Sequence, residues 1–295
     1  MNFTEYPCDV LKDTLITRIP TGMPALDRIL GGGFAKGEGS LVIGASGAGK
    51  SVCCTQFAYD MCCQDAGYKG LTISTEMPSN DYGLRLLSNK CGIPYTLIKD
   101  GFNDSAITNS LQRDRYERLR EENKRLHICR WRNESSENAV AAIDDELKRV
   151  QDELGGLDFV HLDQLGRALR KNDLSNPFDF RQVWQEGADA VAELAAKHNI
   201  SFTAYAQAHA QDAINKRCVT PEMAAECKSL HRAMAFSIGI SAVRNECETA
   251  GGAVYEDIQY FFVGKSRRGP GGLVPFRRKF DQMRIEPVDA CMQLY

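Results

Sequence analysis

Charge of one sign is what this chain most lacks. Its 295 residues hold 36 Lys and Arg against 39 Asp and Glu, a net charge of −3. No overall basic field advertises nucleic acid, so any such binding must come from local patches. Long apolar runs are also missing. None approaches the roughly 20 residues that cross a bilayer, and no membrane partner is expected. The opening MNFTEYPCDVLKDT has neither the basic flank nor the apolar block of a secretory leader, and the expectation is a cytoplasmic protein. No linker-like stretch and no internal repeat divides the chain. One domain is expected over 19–286, between a short arm (1–18) and a tail (287–295).

Cysteine itself is plentiful, at 11 residues, but cysteine at metal-binding spacing is absent. Cys53–Cys54 and Cys62–Cys63 are adjacent pairs in a helix-like stretch, where neighbours diverge by about 100° around the axis. Zinc sites space their cysteines by two or more residues. The pairs read as small apolar residues packing a helix on a sheet, and no metal–cysteine site is expected.

What is present is an alternation of strand and helix patterns. SLVIG (40–44), GLTISTE (70–76), RLHICRW (125–131), LDFVHLD (157–163) and ISFTAYAQ (200–207) are short apolar, β-rich runs. Helical patterns follow at 50–67, 79–91, 136–154 and 180–199, and the mixed-charge stretch 111–125 reads as a solvated helix face. YEDIQYFFVGKS and LVPFRRKFDQMRIE form a closing antiparallel section. The pattern predicts an α/β fold with a mostly parallel central sheet flanked by helices.

The chemistry begins at GASGAGKS, residues 44–51. Gly44, Ala45, Ser46, Gly47, Ala48, Gly49, Lys50 and Ser51 fit a phosphate-binding loop between a strand and a helix. Backbone N–H groups and the helix N-terminus would cradle the phosphates of ATP. Lys50 would reach the β- and γ-phosphates and Ser51 would ligate Mg²⁺. Asp163 ends LDFVHLD where a carboxylate can hold the magnesium shell, partly through water, while His161 reads as a hydrogen-bonded core histidine and Asp158 as structural. Glu76, which ends the neighbouring strand, is either a water-activating base or an ordinary capping or exposed glutamate. Gln207 is either a γ-phosphate sensor or a polar strand end.

With these positions in hand, the chain resembles the RecA-type ATPase core, and specifically the motor domain of DnaB-type (superfamily 4) replicative DNA helicases. STEMPSNDYGLRLLSNKCG is similar to the family's Ser-x-Glu-Met segment and its following arginine-bearing helix, which makes Arg85 a nucleotide-binding candidate. HLDQLGRA resembles the Asp-Tyr-Leu-Gln stretch, and FFVGKSRRGPGGLVPFRRKFD resembles the closing Lys-x-Arg-x-Gly-Pro-x-Gly hairpin. The opening TGMPALDRILGGGFAKG is closer to RecA and KaiC relatives. The resemblance assigns catalysis to Lys50, Glu76, Asp163 and Gln207. It adds Lys265 and Arg267 acting in trans on a neighbour's nucleotide, hence a homo-oligomer, expected as a hexameric ring. Residues 264–279 hold six Lys or Arg and no acid, so direct contact with nucleic acid is a further use.

The resemblance also implies single-stranded DNA as the track, with a primase or helicase loader as a further partner. Arg167, Arg170 and Lys171 after Asp163, and Lys216, Arg217, Lys228 and Arg232 after Gln207, are the candidate backbone contacts; as solvated loop charges they would need no partner. The chain departs from the family at SLHRAMAF, where an acidic run is usual, and at His209. With no counterpart here of the amino-terminal domain that binds primase in the bacterial proteins, the resemblance implies a minimal version of the kind found among phage and plasmid replication proteins. A RecA-like recombinase on filaments and a KaiC-like regulatory ATPase remain the alternatives.

Overall fold

The computed structural model describes residues 16–99, 123–131, 139–169, 177–213, 216–224, 230–241, 245–248, 254–267 and 269–288, with isolated helical positions at 114, 117 and 119. Most of the mixed-charge stretch 111–125, and the candidates Arg170, Lys171 and Lys228, lie outside the described residues.

A small antiparallel ribbon, β1 (Arg18–Ile19) with β2 (Phe34–Ala35), brackets helix α1 (Pro24–Leu30). The central sheet follows. Its parallel part is built from β3 (Gly39–Gly44), β4 (Gly70–Ser74), β5 (Leu126–Arg130), β6 (Phe159–Asp163), β7 (Ser201–Gln207) and β8 (Phe236–Ile240). β9 (Asn245–Glu248), β10 (Val254–Ser266), β11 (Gly272–Lys279) and β12 (Arg284–Pro287) extend it as an antiparallel section. The order across the sheet is β12-β11-β10-β8-β3-β7-β6-β4-β5, with β9 on β10. The remaining helices are α2 (Lys50–Cys62), α3 (Ser79–Cys91), α4 (Tyr95–Lys99), α5 (Ala139–Leu154), α6 (Leu165–Ala168), α7 (Pro177–His198) and α8 (Ala210–Ala213). The expected mostly parallel α/β sheet with a closing antiparallel hairpin is what the chain forms.

Both sheet faces are covered, which is why the parallel strands read as near-continuous apolar runs. Alternate residues of β3 part to opposite sides. Leu41 and Ile43 join the core under α5 and α7, and Val42 joins the core under α1 and α2. α5 buries Ile143, Leu147 and Val150, one stripe of a helix whose other faces are charged. α2 is buried nearly all round, and Cys53, Cys54 and Cys62 pack inside it as small apolar residues. No helix among the described residues is long and apolar enough to cross a membrane.

Several elements differ from expectation: α7 starts at Pro177 rather than 180, β8 is not among the expected strand runs, and β4, α2 and β12 differ as well. β4 stops at Ser74 because its hydroxyl donates to Met77 O (2.8 Å) and accepts from Met77 N–H (3.0 Å), closing a side-chain turn. Glu76 therefore sits in that turn, not on the strand. α2 ends at Cys62, short of the expected 67, and Gly67 takes a left-handed turn position beyond it. β12 is a further strand whose edge is closed by a side chain: the Gln56 amide donates to Ile285 O (2.9 Å) and accepts from Ile285 N–H (3.0 Å).

Candidate nucleotide site

Register decides which side chains meet. Gly44 at the end of β3 lies opposite Gln207 of β7, and Asp163 of β6 lies opposite Tyr205 of β7 and Ser74 of β4. The strands are parallel, so these ends share one sheet edge, the side on which open α/β sheets bind ligands.

The phosphate loop crosses that edge. Gly47 and Gly49 adopt φ of 74° and 92°, left-handed values open to glycine, and Gly49 caps α2. A Cβ on Gly49 would also fall 2.4 Å from Cζ of Phe280. Lys50 is buried, and its ammonium donates to Gly44 O (2.8 Å) and Ala45 O (2.9 Å). A cavity of about 510 Å³ opens over the loop. Its walls include Ser46, Gly47, Gly49, Lys50 and Ser51, together with Glu76, Arg85 and Gln207. Ala45 and Ala48 are buried behind it. A second cavity of about 410 Å³, walled by Tyr59, Asp60, Lys90 and Arg284, holds none of these candidates.

Asp163 is fully buried at the end of β6, one residue before Gln164, which lines the cavity. Its Oδ2 accepts a 2.6 Å hydrogen bond from the Tyr82 hydroxyl, while Oδ1 is buried without a hydrogen-bond partner among the described residues. A carboxylate with an unspent acceptor, under a loop that carries the Ser51 hydroxyl, fits a divalent cation and its water shell. Tyr82 was not picked out from the sequence, where nothing marks a tyrosine 81 positions before its partner. His161 is a core residue: Nδ1 lies 3.0 Å from the Tyr205 hydroxyl, and burial pushes its pKa down to about 3. Asp158 is structural, holding Lys36 (2.8 Å) and the Lys69 N–H (2.8 Å).

Glu76 is paired. Its Oε1 lies 3.0 Å from Nη2 of Arg167, which also lines the cavity. The sequence offers Arg167 as a DNA contact; the structure sets its guanidinium beside the nucleotide loop. Arg85 stacks over Tyr95 (5.5 Å) and points Nη1 at Met283 Sδ (3.6 Å). Phe280 and Met283, at the turn between β11 and β12, complete the rim and were also missed. Their only sequence signal is position, shortly after the basic hairpin.

Lys265 and Arg267 do not join this cavity. Ser266 pairs with Phe236, which lies opposite Ser40 at the start of β3, whereas the phosphate loop leaves β3 at Gly44. Four residues of strand, about 13 Å, separate the two levels. Lys265 donates to His231 O (2.7 Å) and Arg232 O (2.9 Å), and burial followed by the Arg267 charge holds its pKa below the usual lysine range. Arg267 is exposed. Lys216, Arg217 and Arg232 are exposed too, with Arg217 over the Tyr260 ring (5.4 Å).

Comparison with known proteins bears on the fold. A KaiC ATPase family model covers residues 19–165. A solved ATPase domain superposes with a TM-score of 0.76 at 17% identity, covering 96% of each chain. The chain has the RecA-like ATPase fold. A DnaB-like replicative helicase, solved in a study of its interactions with primase, shares this fold with a TM-score of 0.74 at 18% identity; 95% of this chain aligns, spanning 64% of that one. A KaiC-like protein of the archaeon Pyrococcus horikoshii OT3 gives 0.58 at 14% identity, over 92% of this chain and 98% of that one. No curated protein matches in sequence.

Proposed function

We infer that this RecA-like ATPase is a motor subunit that hydrolyses ATP at interfaces between copies and moves along single-stranded DNA, in the manner of a replicative helicase. The observation that carries the reading is the sheet register. It leaves Lys265 and Arg267 a strand length from their own phosphate loop, which supports a role on a neighbouring copy's nucleotide. The likeness to a DnaB-like replicative helicase supports DNA as the track.

In this reading the loop N–H groups and Lys50 bind the phosphates, Lys50 exchanging two backbone carbonyls for phosphate oxygens. Ser51 and Asp163 would hold magnesium, which would supply positive charge against the phosphates of the bound nucleotide. Phe280 offers a ring at the rim for the base. Glu76 accepts a proton from the water that attacks the γ-phosphorus. Gln207 hydrogen-bonds the γ-phosphate and passes its loss to the chain after β7. Arg267 of the adjoining copy stabilises the transition-state charge. Lys216, Arg217 and the basic residues after Asp163, with Arg170, Lys171 and Lys228 among the candidates, contact the DNA backbone.

The test is ATP hydrolysis with and without single-stranded DNA, on wild type and Arg267→Ala, with mass photometry of the same samples. Stimulation by DNA, lost by roughly a hundredfold or more in a variant that still assembles, is the expected result. Hydrolysis indifferent to DNA, from a monomer untouched by the substitution, would overturn the motor and favour the KaiC-like regulatory ATPase that the family match over residues 19–165 supports.

A further inference from the structure

The carboxylate read above as the base is already engaged. Glu76 Oε1 is ion-paired with the Arg167 guanidinium at 3.0 Å, so a water at that oxygen must compete with the arginine. The two side chains come from neighbouring strand ends whose backbones are tied together. Thr75 N–H donates to Asp163 O (2.7 Å), and Gln164 N–H donates to Thr75 Oγ1 (2.9 Å). The pair is nonetheless wet, with the Arg167 side chain 59% exposed and that of Glu76 27% exposed. An exposed ion pair of this kind is weak. A phosphate, with more charge and a bidentate match to guanidinium, competes well for the same arginine.

We propose that Arg167 is a phosphate-operated latch on Glu76. With no phosphate beside it, Arg167 occupies the carboxylate and holds hydrolysis down. When a phosphate oxyanion takes the guanidinium, Oε1 is released to the attacking water. Two sources of that oxyanion are separable by experiment: the γ-phosphate of ATP, since Arg167 and the phosphate loop line one cavity, and the backbone of a bound DNA strand. The proposal rests on the reading of Glu76 as the base and makes Arg167 a positioning residue.

The experiment uses the full chain with Arg167→Ala, Arg167→Lys and Glu76→Gln, measuring steady-state ATP hydrolysis with and without oligo-dT, and the affinities of ADP and a non-hydrolysable ATP analogue. If the track opens the latch, Arg167→Ala hydrolyses ATP about two- to fivefold faster than wild type without DNA, the population ratio such a pair sustains, and DNA adds correspondingly less. If the γ-phosphate opens it, the DNA-free rate does not rise and the preference for the ATP analogue over ADP falls by a similar factor. Arg167→Lys restores part of either effect. Unchanged nucleotide preference together with an unchanged or uniformly lowered rate overturns the latch. Full activity in Glu76→Gln would instead defeat the base assignment, and a wild type indifferent to DNA would defeat the motor reading while leaving the nucleotide arm readable.

Discussion

Replacing Tyr82 by Phe removes one oxygen from a buried ring and leaves its packing in place. That oxygen donates 2.6 Å to Asp163 Oδ2, and the other carboxylate oxygen has no partner among the described residues. The Cys54 thiol lies 3.5 Å from the same hydroxyl and is a weak substitute. Burial and then the charge of Asp163 push the phenol well above its usual pKa, so Tyr82 remains a donor. The variant thus strands a buried carboxylate without its hydrogen bond. A bond to a charged group contributes about 1.5–3 kcal/mol, and the expected loss of stability is about 2 kcal/mol. Urea unfolding of the two proteins measures it through the shift in midpoint at constant slope. Repeating the titration with magnesium and a non-hydrolysable ATP analogue should narrow the gap, because a cation would then compensate the same carboxylate. A difference below about 0.5 kcal/mol, the scatter of neutral surface changes, would refute the reasoning.

Acid should weaken the fold through His161. Burial holds its pKa at about 3 against 6.5 in the unfolded chain, so below 6.5 the unfolded state binds the extra proton and stability falls as pH drops. At about 1.4 kcal/mol per pH unit, going from pH 7 to pH 5 costs about 2 kcal/mol, and His161→Gln should lack that share of the slope. Denaturation midpoints at the two pH values decide it; the same pH dependence in both proteins would sink the assignment. Gly166→Ala should be destabilising, because its Cβ would lie 1.6 Å from Cη2 of Trp184. Overpacking of this kind costs about 1–3 kcal/mol and displaces α6, so a fall in Tm should accompany a change in tryptophan emission. An unchanged Tm and spectrum would mean that the ring gives way freely.

The phosphate loop was legible because all its parts are neighbours in the chain. Two glycines with left-handed φ, a lysine and a serine stand between an apolar strand and a helix, and no distant contact is needed to recognise them. The parallel sheet was legible for a related reason: burial on both faces turns each strand into a short apolar run. Asp163 and Gln207 followed, since each ends such a run. Glu76 was found, but its turn was not, because Ser74 rather than any change in hydrophobicity stops the strand. The Tyr82–Asp163 bond, the Arg167–Glu76 pair and the Phe280 rim were invisible. Each joins segments that meet only because the sheet runs in the order β3-β7-β6-β4, with β12 folded back against α2. What the amino-acid sequence determined alone is the chemistry written in adjacent residues and in strand periodicity. Which carboxylate is held by which donor, and that Lys265 and Arg267 lie outside the cavity over the phosphate loop, was decided by strand order and register, long-range pairings that no local pattern contains.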